Sequence, residues 1–293
     1  MKNLILSLVV ISIAYCNVSA QSIQVTVTGK GEPMLFFPHI GCSSSMWNEV
    51  VNHYSSQYTC YKFDFAGFAG MPAIEGDYTN AYVKAVSEFI DQKKLSNVIL
   101  VGQNYGAFVA VKVALANAGN VKRIIASDFY PALKMVLDSA MTEEKLTMIK
   151  ESVRKSIIGI EDEKFRANQK MVAEGMNFLD TTRVATFLQW QMASDRKTLA
   201  ETLCEQLTED LRPALKSNRI PMLAISTWYF AKTYRNMPES DAPKALDAMF
   251  AGATNVEHAL TSETKDFIHM DKPSWYLDVT ESFLSNGKSK SGF

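Results

Sequence analysis

Short apolar segments alternate with helical patterns along much of the chain. The apolar segments are rich in β-branched and aromatic residues, which is typical of buried strands. The predicted strands are 21–28, 34–37, 58–63, 97–101, 122–127, 221–226 and 255–261, and the predicted helices among them are 82–92, 107–118, 242–251 and 273–284. Buried strands connected by helices predict an α/β fold with a mostly parallel central sheet and helices on both of its faces.

The pattern changes between the fifth and sixth predicted strands. Residues 134–215 are charged and helical, with candidate helices at 141–158, 161–175, 181–192 and 196–211 and no strand-like segment. This block is too long for one crossover connection, so we interpret it as a helical cap inserted into the fold. The predicted core is then 21–133 and 216–285, followed by a polar tail at 286–293.

The N-terminal segment has the composition of a secretory signal peptide. Lys2 precedes an apolar stretch at 4–14, and the small residues of 18–20 form a cleavage site. The apolar stretch is shorter than the roughly 20 residues that span a bilayer. A lipoprotein anchored at Cys16 is disfavoured because the bulky Tyr15 precedes it. We therefore predict that residues 1–20 are removed and that the protein is exported, periplasmic or secreted, with no membrane span in the mature chain.

Charge and cysteine content exclude several classes of function. There are 30 Lys and Arg against 31 Asp and Glu, so the basic excess of a nucleic-acid-binding protein is absent. The mature chain has three cysteines and no CxxC motif; Cys42 and Cys60 either form a disulfide or remain free thiols with Cys204. The sequence contains no phosphate-binding loop, nicotinamide fingerprint or metal-ligand cluster, so we predict no cofactor and no metal.

The strongest local signal is Gly102-Gln103-Asn104-Tyr105-Gly106, which lies between a predicted strand and a predicted helix. In this context the glycines allow the sharp turn of a nucleophile elbow. The central residue, here Asn104, is held in a strained conformation above the sheet. The backbone N–H of Tyr105, which follows it, points at the position where an oxyanion develops.

With the elbow in place, the mature chain resembles the α/β-hydrolase superfamily, in particular exported bacterial members with a small helical cap. The resemblance rests on the order and spacing of Gly29-Lys30-Gly31-Glu32-Pro33, Phe36-Phe37-Pro38-His39-Ile40-Gly41, Ala66-Gly67-Phe68-Ala69-Gly70, the elbow, Ser127-Asp128-Phe129-Tyr130-Pro131, and Asp266 to Trp275. It implies that the N–H groups of Ile40 and Tyr105 form the oxyanion hole. It also implies an acid after a late strand. Asp128 is the candidate because the 221–226 strand ends without a carboxylate; the alternative is that Asp128 caps a turn.

Two positions depart from the family pattern. Asn104 stands where the serine nucleophile is expected, and a carboxamide is a very poor nucleophile. Relatives have His-Phe-Ile-Met where this chain has Asp266-Phe267-Ile268-His269, so Asp266 occupies the position of the catalytic histidine. His269 is the candidate substitute base; the other interpretation is that its ring is packed at the start of the last helix.

These departures favour a degenerate, catalytically impaired serine hydrolase that retains a small-molecule pocket. We expect His39, Phe129 and Trp228 to line this pocket, and an apolar molecule or ester-like substrate to occupy it. The alternative is an active hydrolase of small esters or amides that uses His269 with Asp128. A third hypothesis is an interaction protein that uses the fold as a scaffold. The oligomeric state stays open.

Overall fold

A seven-stranded sheet forms the centre of the computed structural model, which describes residues 22–286. The strands are β1 (Ile23–Gly29), β2 (Glu32–Phe37), β3 (Tyr58–Phe65), β4 (Val98–Gln103), β5 (Val121–Ser127), β6 (Met222–Thr227) and β7 (Val256–Thr261). Their order across the sheet is β1-β3-β2-β4-β5-β6-β7, with β1 antiparallel to β3 and the other neighbours parallel. The predicted mostly parallel α/β fold is therefore confirmed. The predicted signal peptide and the tail beyond residue 286 lie outside the described residues.

Helices cover both faces of this sheet. They are α1 (Asn48–Tyr54), α2 (Tyr78–Gln92), α3 (Tyr105–Ala116), α4 (Leu133–Leu137), α5 (Glu143–Ile157), α6 (Asp162–Val172), α7 (Val184–Ala193), α8 (Arg196–Thr208), α9 (Arg212–Ser217), α10 (Tyr229–Arg235), α11 (Ala242–Met249), α12 (Ile268–Asp271) and α13 (Pro273–Asn286). Short 3-10 helices occur at Ser44–Trp47, Thr181–Arg183 and Glu239–Asp241, and a π-helix occurs at Ala173–Asn177.

Alternation along the strands divides the core into two apolar clusters, one on each face. In β2, Leu35 and Phe37 join the cluster that contains α2 and α3, whereas Met34 and Phe36 join the cluster that contains α1 and α13. Successive strand side chains point to opposite faces, so a strand covered on both sides must be apolar throughout. This is why β4 is an almost continuous apolar segment in the sequence; α3 is apolar nearly all round because it is a buried helix.

The helical insertion (residues 133–217, α4 to α9) lies between β5 and β6 in the chain. Two of its side chains hold the loop that follows β2: Gln191 donates to the Ile40 carbonyl at 3.0 Å, and Ser194 donates to the Gly41 carbonyl at 3.2 Å. The predicted helix at 161–175 ends as an α-helix at Val172 and continues as the π-helix. Part of the insertion is therefore attached to the edge of the sheet where the strands β2 and β4 end.

The three cysteines of the described residues, Cys42, Cys60 and Cys204, are buried free thiols. Burial raises the pKa of the Cys42 thiol above its usual range, which keeps it protonated and unreactive. Within residues 22–286, no helix combines the length and the apolar character that crossing a membrane requires.

Candidate functional site

The turn between β4 and α3 has the geometry of an elbow. Asn104 lies between them with φ of 50° and ψ of −110°, a backbone conformation that few non-glycine residues adopt. Glycine is required at positions 102 and 106 because a side chain at either position would clash with the backbone. A Cβ on Gly102 would lie 2.4 Å from the Ala107 nitrogen, and a Cβ on Gly106 would lie 2.3 Å from the Phe37 carbonyl oxygen. The elbow is thus pressed against the loop that follows β2.

Asn104 is bonded directly to Asp128 in this structure. The Asn104 Nδ2 atom donates to Asp128 Oδ2 at 2.8 Å, and the Tyr130 hydroxyl donates to Asp128 Oδ1 at 2.9 Å. The two residues meet because β4 and β5 are neighbours in register, with Gln103 opposite Ser127. Both oxygens of a carboxylate that is only 3% exposed therefore have a donor.

Asp266 lies on the loop after β7, next to the elbow. Gln103 Nε2 donates to the Asp266 carbonyl at 2.7 Å, and the Asp266 N–H donates to the carbonyl of Met176 in the π-helix at 3.1 Å. The loop is therefore fastened to the elbow on one side and to the helical insertion on the other. Irregular helical turns of this kind are frequent at functional sites.

The two carboxyl groups have perturbed pKa values. Burial raises the pKa of Asp128 from its usual 3.8 to about 6, although the hydrogen bonds from Asn104 and Tyr130 act in the opposite direction. The pKa of Asp266 lies well above its usual range because of burial and, next, the nearby charge of Asp128. Both burial and a nearby like charge disfavour the ionised form of a carboxyl group, so the protonated form of Asp266 is favoured.

The histidines of the predicted site lie in apolar surroundings. The ring of His269 is 1% exposed and stacks on Trp47 with ring centroids 4.3 Å apart. Burial lowers its pKa to about 3. His39 Nδ1 lies 3.0 Å from the Ile40 carbonyl oxygen, and burial lowers the pKa of His39 to about 4. Neither ring forms a hydrogen bond with Asp128.

The predicted oxyanion-hole residues lie on the loop after β2 and at the start of α3. Helix α3 begins at Tyr105, so the first N–H groups of the helix have no acceptor within it. The Tyr105 side chain is buried beneath, with its hydroxyl 2.8 Å from Thr79 Oγ1. The Ile40 carbonyl accepts from Gln191, and the His39 carbonyl, which shares its peptide group with the Ile40 N–H, accepts from the Cys42 N–H at 3.0 Å. The structure thus brings Ile40, Asn104 and Tyr105 to the same edge of the sheet.

An apolar cavity of about 370 Å³ lies beside Asp128. Trp228 and Tyr130 line it, and the sequence had indicated no role for Tyr130. Phe129 instead packs in the core against Phe250, with ring centroids 6.0 Å apart. The signal for Tyr130 is its position two residues after the predicted acid, because a buried phenol needs a hydrogen-bond partner.

Comparison with known proteins agrees with this geometry. Residues 32–156 match the family model described as alpha/beta hydrolase fold, which spans β2 to α5 and includes the elbow and Asp128. The chain has the α/β-hydrolase fold. A search of curated protein sequences gives no match.

Solved structures with the α/β-hydrolase fold superpose on nearly the whole chain. An esterase (EaEST) from Exiguobacterium antarcticum is 17% identical, with a TM-score of 0.72 over 90% of this chain and 96% of the esterase. The epoxide hydrolase CorEH is 16% identical, with a TM-score of 0.69 over 96% of this chain and 100% of the enzyme. An E-2-(acetamidomethylene)succinate hydrolase is 18% identical, with a TM-score of 0.65 over 89% and 94%. Identities this low establish the fold only.

Within the α/β-hydrolase fold, this elbow has neither a hydroxyl nor a thiol on its central residue, Asn104. The elbow carries a carboxamide, and the acid is bonded to it without an intervening imidazole. Among residues 22–286, no group of three or more His, Cys, Asp or Glu side chains is arranged to hold a metal ion. The hydrogen bonds at the elbow involve the side chains of Asn104, Asp128 and Tyr130 and the backbone carbonyl of Asp266.

Proposed function

We propose that this chain is an exported α/β-hydrolase-fold protein that binds a small molecule and is impaired as a serine hydrolase. The observation that carries the proposal is the 2.8 Å hydrogen bond from Asn104 Nδ2 to Asp128 Oδ2. In the serine-hydrolase mechanism, the acid orients a histidine, and the histidine takes the proton of the nucleophile. In this chain Asn104, at the nucleophile position, donates the hydrogen bond to Asp128 that a histidine would donate.

The carboxamide of Asn104 supplies neither step of that mechanism. It has no hydroxyl or thiol to activate, and its Nδ2 hydrogen is already donated to Asp128. Loss of single triad members leaves a serine hydrolase with only the contribution of binding and the oxyanion hole. We therefore expect ester turnover by this protein to be several orders of magnitude slower than that of an intact serine hydrolase.

Asp266 supports the same conclusion from the histidine position. Its raised pKa favours the protonated carboxyl, which is a poor proton acceptor. His269 is the alternative base, but its ring stacks on Trp47. A base with a pKa lowered to about 3 by burial has little driving force to remove a proton at neutral pH.

Export and ligand binding are the remaining parts of the proposal. Export rests on the signal-peptide pattern of residues 1–20. Ligand binding rests on the cavity of about 370 Å³ beside Asp128, because pockets for small molecules have volumes of about 300–1,000 Å³. Detection of the mature protein beginning at residue 21 in a periplasmic or culture-medium fraction tests export.

The experiment that tests the loss of catalysis restores both missing groups. Asn104→Ser removes the donor from Asp128 Oδ2, and Asp266→His places an imidazole on the loop next to that freed oxygen. We expect the wild type and both single variants to be inactive on p-nitrophenyl acetate and butyrate, and the folded double variant to gain turnover. A double variant that folds but stays inactive would contradict the roles given to these positions.

If the wild type hydrolyses esters, the residues responsible decide between the two functions. Turnover at ordinary enzymatic rates that Asn104→Ala abolishes would overturn the proposal. Turnover lost in His269→Ala, together with fluorophosphonate labelling away from residue 104, would support instead an active hydrolase that uses His269 and Asp128. Circular dichroism of each variant shows whether a loss of rate is a loss of folding.

A further inference from the structure

The cavity beside Asp128 has an apolar wall built from elements outside the elbow. It is enclosed by α4, α10, α11 and the end of β6, and Tyr130 closes it on the side of Asp128. Its larger apolar side chains are Met135, Trp228, Phe230, Met237, Leu246 and Met249. A wall of this composition favours the apolar part of a ligand, because burying apolar surface contributes roughly 25 cal/mol per Å².

Two arginines also line the cavity, and only one of them is neutralised. Arg212 forms a bidentate pair with Asp210, with its Nη2 2.6 Å from Oδ2 and its Nε 2.9 Å from Oδ1. Arg235 has no carboxylate within ion-pair distance among the described residues. Its guanidinium lies over the Phe230 ring, 5.4 Å from the centroid, and its Nη2 is 3.4 Å from the Val136 carbonyl oxygen.

The two ends of the cavity therefore differ in charge. Arg235 is exposed at the end of α10, so it marks the solvent side of the cavity with an uncompensated positive charge. At the inner side, Tyr130 separates the cavity from the acidic Asp128, to which its hydroxyl donates at 2.9 Å. An anionic group is attracted to the Arg235 end and repelled from the Asp128 end, whereas an apolar chain fits between them.

We propose that this cavity binds a small monocarboxylate with an apolar chain or ring, with its carboxylate on Arg235. This inference rests on the proposed function, because it names a ligand class for the small-molecule pocket of the same site. The planar guanidinium presents paired N–H donors that match the two oxygens of a carboxylate. The cation–π contact with Phe230 keeps the guanidinium at the cavity, where the carboxylate can reach it.

The test compares ligands of one chain length that differ in the head group. Octanoate and octanol are titrated into the mature protein and followed by calorimetry. We expect octanoate to bind about fivefold more tightly than octanol, which is the contribution of an exposed ion pair. Arg235→Gln should remove this preference by weakening octanoate about fivefold without changing octanol, and Arg235→Lys should restore part of it.

Two further variants locate the ligand. Lys232→Gln removes a cation from the same helix that pairs with Glu239 at 4.0 Å and does not line the cavity, so it should leave both ligands unaffected. Ala245→Trp fills the cavity from α11 and should abolish binding of both. Equal binding of octanoate to the wild type and Arg235→Gln, unchanged binding by Ala245→Trp, or no binding of octanoate at all would overturn this inference. Ester turnover by the Asn104 and Asp266 variants judges the proposed function separately.

Discussion

Replacing Asp128 with asparagine should stabilise the folded protein above about pH 6. Asp128 is 3% exposed and accepts from Asn104 and Tyr130. An asparagine at 128 keeps a carbonyl oxygen for the Tyr130 hydroxyl. Its amide group faces Asn104, whose own carboxamide can reverse and accept. The substitution therefore removes a buried charge while both hydrogen bonds can still form.

The size of the effect follows from the pKa of Asp128. Burial raises that pKa from 3.8 to about 6, a change of about two units, and each unit corresponds to 1.36 kcal/mol. The stability that the neutral carboxyl contributes is fully present below pH 3.8 and is lost as the pH rises through the folded-state value of about 6. Ionised Asp128 thus costs about 3 kcal/mol at pH 7 and above. The asparagine variant avoids this loss.

The assay is urea unfolding of wild type and Asp128→Asn from pH 3.5 to 8. The free energies of unfolding should coincide near pH 3.5 and differ by about 3 kcal/mol above pH 7, roughly 5–10 °C in melting temperature. Asp210→Asn is the control with the opposite sign, because the hydrogen bonds from Arg212 lower the pKa of Asp210. An Asp128→Asn variant that is less stable than wild type at pH 8, or a difference independent of pH, would refute the reasoning.

Three further substitutions test the elbow and the packed histidine. Gly106→Ala should lower the free energy of unfolding by about 1–3 kcal/mol because its Cβ meets backbone oxygens, whereas Gly119→Ala has open space and should change it little; chemical denaturation compares them. Asn104→Ala should cost about 1–3 kcal/mol at pH 7 by leaving an oxygen of Asp128 without its donor, and equal stability would contradict this. When urea unfolding is repeated from pH 6.5 towards pH 3, His269→Phe should lose less stability than the wild type. Burial lowers the His269 pKa to about 3, so in this pH range the histidine takes up a proton only in the unfolded wild type. A parallel loss in both proteins would exclude that cause.

The strands and the longer helices could be predicted because their patterns are local. The segment 97–101 is apolar throughout and becomes β4, buried on both faces. Helix α2 shows the limit: apolar periodicity predicts a start at residue 82, but the helix begins at Tyr78. Its first N–H groups donate to the carboxylate of Glu205, from α8, at 3.1 and 2.9 Å. A partner so distant in sequence leaves no periodic signal.

The same distinction applies to the site. Positions 104, 128 and 266 could be proposed from spacing within one motif or at the end of one strand. The bond between Asn104 and Asp128, the role of Tyr130 in the cavity wall and the stacking of His269 on Trp47 depend on several elements at once. Sequence spacing could not decide whether His269 is a catalytic base or a packed ring. One helical turn separates it from Asp266, and that turn can face either way.

If positions 104 and 266 are assigned as proposed, Asp128 links the two replacements physically. In a serine hydrolase the buried acid receives an N–H donor from the histidine. With an aspartate at position 266 that donor is lost, and a buried carboxylate oxygen without a partner is destabilising by about 1–3 kcal/mol. Asn104 reaches Asp128 Oδ2 and supplies a new donor from the nucleophile position. A serine is shorter and normally donates to the histidine, so asparagine suits the elbow better when position 266 is acidic. The carboxamide then replaces the imidazole N–H as the donor that stabilises Asp128. That donor stands at the position from which a hydrolase would attack its substrate, so the stabilisation excludes a nucleophile there.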